Sequence, residues 1–512
     1  MEGLEQLGTY LVLDILPSIR WFVPEIILFA GFTLAIFADL TTDKPGATRS
    51  AWVALGSLVA ALAATIAGMG AALPEGLGGL SLFRGAVVFD PLANFFKVLF
   101  LVATILVVIL ILRSRDFGLR KMGELHALLL VVAAGLCLMA SSTHLLLLYL
   151  SLEMVSYVSY VLVGYVKEDR RASEAGLKYV LFGSVSSGAM IFGLSILYGL
   201  TGEMNLTKIG AALAVSPGTE PAVLVASFLV MAGIGYKIAA VPFHFWCPDV
   251  YEGAPTPLTA FLSVAPKAAG FAMLARVTIH LFGQAGSLLA IDWPLVMAVF
   301  SALTMTLGNV IAVQQSNVKR LLAYSSIAHA GYLLMGLACV DRATGTLSER
   351  GLFGVLFYLV VYLFMNLGAF AVVIALREKV SDEEEIDSYR GIGPRAPLLG
   401  VAMAIFLFSL TGLPPLAGFV GKFFLFAAVI EAELYWLAVV GILNSVISLY
   451  YYARILKAMY LERVDETGEA PPLRLAPSHS VLLVVLAAPT VLLGIFWAPL
   501  AGLVQRSVGF LF

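Results

Sequence analysis

Apolar runs of about 20 residues recur along the whole chain, and polar positions gather in the short stretches between them. As a helix, a run of that length crosses the hydrocarbon core of a bilayer. The pattern predicts fourteen spans, at about 23–40, 51–72, 90–112, 125–140, 143–166, 175–200, 221–250, 255–281, 292–314, 318–340, 352–376, 396–430, 434–460 and 479–503. The seventh and twelfth contain Pro242 and the pair Pro414 and Pro415, where a continuous helix needs a backbone donor. Both should be broken helices. Irregular backbone at membrane depth survives only when buried in protein or lining a watery cavity. The expected fold is an all-α polytopic membrane protein.

The connections give an orientation. Alternate loops carry about nineteen basic residues, among them Arg113, Arg115, Arg120 and Lys121, then Lys167, Arg170 and Arg171, then Lys319 and Arg320. The opposite set, with both termini, carries six: Arg20, Arg84, Lys208, Arg342, Arg350 and Arg506. The positive-inside rule places the first set in the cytoplasm and both termini outside. Two blocks, 125–281 and 282–460, each hold five helices of which the fourth is Pro-broken; 1–124 contributes three helices before them, and 461–512 a loop and a last helix. An odd number of spans per block inverts successive copies, an arrangement seen in transporters. The acidic run Asp382, Glu383, Glu384, Glu385 and Asp387 falls in a cytoplasmic loop and reads as solvated, or as a partner's docking point.

Composition agrees. The 512 residues are 60% hydrophobic and 12% charged, with mean hydropathy +0.96, whereas soluble domains carry roughly 25% charged residues. A net charge of -2 points to neither nucleic acid nor an acidic partner. Cys137, Cys247 and Cys339 form no CxxC and read as packing residues. The opening MEGLEQLGTY has no basic region of a signal or transit peptide. No GxGxxG, GxxxxGK[ST] or HExxH occurs, and the six histidines lack metal-ligand spacing.

Six basic residues remain inside spans: Lys97, Lys178, Lys237, Lys267, Arg276 and Lys422. A charge at a helix centre costs roughly 2.5–3.5 kcal/mol on insertion scales. Lys97 and Arg276 lie nearer span ends, where snorkelling suffices. Lys237 and Lys422 flank the helix breaks. Desolvation favours a neutral amine and a nearby carboxylate favours the ammonium, so a lysine with such a neighbour can load and release a proton. Glu153, in LLLLYLSLEMVSYVSYVL, is the acid well inside a span, and a lysine partner is expected for it; Glu25 and Asp90 open their spans and read as interfacial. His244, seven residues after Lys237, and His329, in LAYSSIAHAGYLL, are candidate relays. His126, His144, His280 and His479 sit near span ends and read as structural.

The stretch IGYKIAAVPFHFWCPDVYEGAPTPLTAFLSVAPKAAGFAML, with RLLAYSSIAHAGYLL, EEIDSYRGIGPRAP and TGLPPLAGFVGKFFLF, closely resembles the antiporter-like N-type subunits of bacterial NADH-quinone oxidoreductase, respiratory complex I. These are similar to mitochondrial ND subunit 2. The PDVYEGAPTP segment separates them from L-type and M-type subunits and from cation/proton antiporters, and the chain lacks the long C-terminal amphipathic helix expected of an L-type subunit.

The resemblance implies a proton-translocating subunit in a bacterial inner membrane, driven by quinone reduction elsewhere in the complex. It implies neighbouring antiporter-like and small membrane subunits, with FMN, iron–sulfur clusters and quinone in partner subunits and no cofactor in this chain. It assigns proton transfer to Lys237 and Lys422 at the broken helices, to Lys267 between them, to Glu153 as modulator of Lys237, and to Lys178. Two other readings stay open: a proton-conducting subunit of a cation/proton antiporter or membrane-bound hydrogenase, and a spacer that moves nothing.

Overall fold

A computed structural model describes residues 15–41, 48–69, 79–117, 122–215, 219–282, 292–340, 346–379, 384–462, 472–473 and 475–511. Lys44, Arg120, Lys121, Arg342, Arg463, Arg474, Asp382 and Glu383 lie outside the described residues. The principal helices, in chain order, are α1 (Val23–Leu40), α2 (Arg49–Met69), α3 (Pro91–Ile111), α4 (Gly123–Ser141), α5 (Leu145–Val163), α6 (Arg170–Thr201), α7 (Glu220–Ile238), α8 (Trp246–Gly253), α9 (Thr256–Val277), α10 (Trp293–Ala312), α11 (Val318–Leu337), α12 (Glu349–Lys379), α13 (Pro397–Thr411), α14 (Ala417–Glu431), α15 (Tyr435–Leu461), α16 (Pro477–Ile495) and α17 (Ala498–Val508); short helices at Leu16–Trp21, Leu206–Ala214 and Ile392–Arg395 lie outside this series.

Among the described residues twelve helices are long and apolar enough to span a membrane. Two further crossings complete the expected fourteen. One is α11, whose hydropathy is lowered by Lys319 and Arg320 in its first turn. The other is the pair α13 and α14, 15 residues each, interrupted by Pro414 and Pro415. Helix starts follow local chemistry. Asp90 accepts from Ala93 N–H at 2.7 Å with Pro91 opening α3, and Asn317 accepts from Arg320 N–H at 3.0 Å to open α11.

Every residue of α9 is buried, so this helix forms the centre. The outer helices turn large apolar side chains outward, among them Phe37, Trp52, Val185 and Val446. A surface of that kind faces lipid or another membrane subunit.

The two breaks are built alike. At the first, Ala239 takes a left-handed conformation (φ 57°), and the Ala239 and Ala240 amides turn back to the Tyr236 and Gly235 carbonyls at 3.1 and 2.8 Å. At the second, Gly412 (φ 92°) takes that position, and the Gly412 and Leu413 amides both return to Phe408 at 3.0 Å. Each is a Schellman-type ending. The freed groups find partners: Trp246 Nε1 donates to the Tyr236 carbonyl (3.0 Å), Val241 N–H donates to Thr304 on α10 (3.1 Å), and Gly418 N–H donates to Ser409 Oγ (3.0 Å). The Val241–Pro242 and Pro414–Pro415 bonds are cis.

Several expectations need correction. The span expected at 479–503 is two elements, because Pro499 cannot donate and instead opens the separate helix α17. A short hairpin, Leu80–Leu82 against Val87–Phe89, precedes α3. Lys97 and Arg276 do not snorkel. Lys97 pairs with Glu25 at 2.7 Å, both fully inside the protein, and Arg276 grips Asp90 through two bonds of 2.9 and 2.8 Å. Glu25 and Asp90 are thus buried rather than interfacial, since each faces a neighbouring helix that brings a cation. Nor is Glu384 solvated: it is buried beside Lys319 (3.2 Å) and Arg377 (3.4 Å), and its carbonyl accepts from Val318 N–H (2.7 Å). Lys319, expected in a loop, is itself buried there and also donates to the Ala254 carbonyl (2.8 Å).

Candidate proton-transfer site

α7 delivers Lys237 two residues before its break. Gly270 on α9 makes this possible: a Cβ there would sit 2.5 Å from Ile238 and 3.5 Å from Lys237 Cβ, so the missing side chain lets α7 press onto α9. Lys237 is fully buried. Its Nζ donates to Ser156 Oγ on α5 at 3.1 Å. The expected direct pair with Glu153 does not form. Ser156 stands one helical turn beyond Glu153 and takes the ammonium, while one Glu153 oxygen has no hydrogen-bond partner. Glu153 thus stands one helical turn from the bonded serine, with no direct ion pair to Lys237 among the described residues.

One turn along α9 from Gly270, Lys267 donates to Ser326 Oγ on α11 at 2.7 Å, with the Tyr251 ring 5.7 Å away. The adjacent Ser325 bonds Tyr452 on α15. Tyr452 reaches His329 Nε2 (3.3 Å), and His329 Nδ1 pairs with Tyr358 of α12 (2.7 Å). Tyr332, with its ring centroid 5.9 Å from that of His329, meets Ser445 at 2.9 Å. Ser445 accepts from Lys422 Nζ at 3.2 Å. Lys422 also caps the Thr411 carbonyl freed by the second break (2.8 Å) and lies 4.3 Å from the centre of the Tyr332 ring. Gly412 sits against it: a Cβ there would come 2.9 Å from Lys422 Cδ.

The structure thus brings Lys267, His329 and Lys422 onto one largely buried run of hydroxyls and imidazole, while Lys237, bonded to Ser156, adjoins it across α9 with no hydrogen bond to Lys267 among the described residues. Two candidates stand apart from it. His244 is buried with its ring against Phe245 (centroids 4.5 Å). Lys178 is 38% exposed and holds Glu174 and Asp249, each at 2.8 Å; Asp249 in turn takes Arg320 at 2.6 Å. Among the described residues no group of three or more His, Cys, Asp or Glu is placed to hold a metal.

Residues 142–448 match the family described as NADH:quinone oxidoreductase/Mrp antiporter, transmembrane. The chain is 48% identical to NADH-quinone oxidoreductase subunit N of Anaeromyxobacter sp. (strain Fw109-5), over 97% of this chain and 98% of that one. The chain belongs to the NADH-quinone oxidoreductase subunit N family. Subunit N 2 of Sorangium cellulosum is also 48% identical, over 98% of this chain and 99% of the relative. A chain of respiratory complex I from Thermus thermophilus with bound aureothin superposes with TM-score 0.75 at 30% identity, covering 94% of this chain and 98% of that one. A chain of the Mrp complex from Dietzia sp. shares the fold, with TM-score 0.80 at 20% identity over 96% of this chain and 98% of that one.

Membership of the subunit N family makes the chain a proton-translocating membrane subunit of a larger assembly. The sequence pointed to the charged members of the buried line and missed its neutral ones: Ser156, Ser325, Ser326, Tyr332, Tyr358, Ser445 and Tyr452. Serine and tyrosine carry no insertion penalty comparable with a charge, so nothing in a hydropathy pattern separates these from packing residues. The spacing of Ser325, Ser326, His329 and Tyr332 within one apolar helix was the available signal, since those positions stack along about two turns.

Proposed function

We propose that protons cross this chain along that line. They enter from the cytoplasm to Lys237, with Glu153 setting its affinity, pass Lys267 and the hydroxyls around His329, and leave from Lys422 on the opposite side. The supporting observation is the bonded series Lys267–Ser326, Ser325–Tyr452–His329–Tyr358 and Tyr332–Ser445–Lys422, of which every member but the half-buried Ser445 is buried. A passive spacer has no use for Lys422, an ammonium with no carboxylate partner among the described residues. Quinone reduction in partner subunits, which carry the flavin, iron–sulfur clusters and quinone, supplies the energy; neighbouring antiporter-like and small membrane subunits complete the pump. Lys178 enters this reading at the mouth, presenting protons rather than carrying them through the core.

Tyr452→Phe tests the line, because it deletes one hydroxyl that joins Ser325 to His329 and leaves the ring in place. Positioned proton-transfer groups contribute roughly 10²–10⁴-fold to rate. Water can replace a hydroxyl in part, so pumping by the assembled complex should fall about tenfold. An unchanged proton-to-electron ratio and rate in that variant would remove Tyr452 and the line through it.

The orientation has both termini on the non-cytoplasmic side of the bacterial inner membrane, following the basic-loop bias. The three native cysteines are all buried, so Ser114→Cys offers a distinct thiol. It should react with a membrane-impermeant maleimide in inside-out vesicles and not in intact cells; the reverse pattern overturns the orientation.

A further inference from the structure

On the side of the bundle that carries the hairpin, α2, α3, α12 and α17 enclose an open groove of about 970 Å³. It is at the large end of small-molecule sites. Ile66, Phe95, Leu99, Val102, Leu363 and Phe364 line it, and every one is apolar. Along α3 the lining runs from Pro91 to Val102, which at ~1.5 Å per residue is roughly 16 Å. That is about half of a ~30 Å hydrocarbon core, the depth of one leaflet.

Of the three polar side chains in the lining, Ser507 is bonded to the Leu503 carbonyl (3.0 Å), which leaves Arg506 and Asn94. Arg506, in the last turn of the amphipathic helix α17, is exposed on the groove and makes no ion pair with any described residue. Asn94, one turn into α3, is 97% buried by its 3% exposure, lines the same groove, and its side-chain amide has no hydrogen-bond partner among the described residues. What little of Asn94 is exposed faces the groove, so its unbonded amide is offered to whatever fills it. The arrangement is an exposed cation on α17, an unbonded amide one turn into α3 at the hairpin end, and an apolar slot about as long as one leaflet is deep.

We infer that this groove is a binding site for an anionic phospholipid of the leaflet on the hairpin side. The phosphate lies on the Arg506 guanidinium, a glycerol-ester oxygen accepts from Asn94 Nδ2, and an acyl chain runs along Phe95, Leu99 and Val102. The uncompensated positive charge of Arg506 supplies the selectivity: a zwitterionic lipid offers the same phosphate, but its headgroup cation opposes the guanidinium, whereas an anionic lipid has none. The inference stands on this groove alone and not on the proton line.

The test uses Ile66→p-benzoylphenylalanine, a photo-crosslinking residue at an outward position that already faces the groove (54% exposed). The assembled complex is irradiated in its native membrane and the adduct is identified by mass spectrometry. Anionic phospholipid should be enriched about tenfold over its share of the extracted bulk lipid, on the order of one charge-assisted bond. Adding Arg506→Gln should return the adduct to bulk composition, and Arg506→Lys should retain most of the enrichment. An adduct of bulk composition in the unaltered background overturns the proposal. So does a polypeptide adduct, which would mean that a neighbouring subunit fills the groove, and so does the absence of any adduct.

Discussion

Complex carrying Lys237→Ala should assemble and should lose nearly all coupled proton transfer through this subunit. The structure strengthens both halves of that expectation. Lys237 is held by a neutral serine, so its removal strands no bonded carboxylate. Glu153 keeps its own surroundings, and a carboxylate without a nearby cation can take a proton and persist. The amine itself has no substitute nearby, since the next one, Lys267, bonds Ser326 one turn further along α9. Lys237→Arg should fail as well, because a guanidinium does not release its proton near neutral pH. Glu153→Gln should be milder, as it alters the affinity of the carrier and not its presence. Quinone reductase activity and proton pumping are read beside subunit content. Pumping at the normal ratio in assembled Lys237→Ala complex would take this lysine out of the path.

The second large effect concerns stability. Asp90→Ala should deplete the chain from the complex, because among the described residues it leaves the buried Arg276 guanidinium with only the Ala140 carbonyl (2.5 Å) as partner. Breaking a buried pair from one side costs about 3–5 kcal/mol, a large part of a domain's stability of roughly 5–15 kcal/mol. Replacing both partners with neutral residues, Asp90→Asn, which still caps Ala93 N–H, with Arg276→Met, should recover most of the loss, since the desolvation of two charges disappears with them. Complex content by quantitative immunoblot and melting of the solubilised complex give the readout. Normal content and melting in Asp90→Ala would show that the pair carries no structural weight. Arg276 and Lys237 then answer different questions, although in the sequence both read as cations inside apolar spans.

Why they looked alike is instructive. The fourteen spans, the two breaks and the orientation bias rest on features that a bilayer punishes severely when they are wrong, so the chain displays them openly. Partnering is different. Nothing around Asp90 announces that a residue 186 positions later will meet it, and nothing around Glu153 says that Ser156 will intercept Lys237. Those outcomes depend on how far each helix slides along its neighbour, which small residues such as Gly270 decide. Lys178 shows the converse: counted as an intramembrane charge, it lies on the first turns of a 32-residue helix long enough to project beyond the apolar layer, and so it collects acids at a surface.

Lys422 has one more consequence. As an ammonium it carries three N–H groups: two are engaged by the Thr411 carbonyl and the Ser445 hydroxyl, and the Tyr332 ring lies alongside. All of its partners are neutral. When such an amine gives up a proton, it keeps two donors, enough for the same two bonds. No counter-ion has to swing away or be resolvated, and the helix end that the amine closes stays closed. In the proposed role the final carrier therefore changes charge inside a cradle that scarcely rearranges. Low reorganisation of that kind favours fast and reversible exchange, so the gating of the pump falls to groups upstream rather than to the exit.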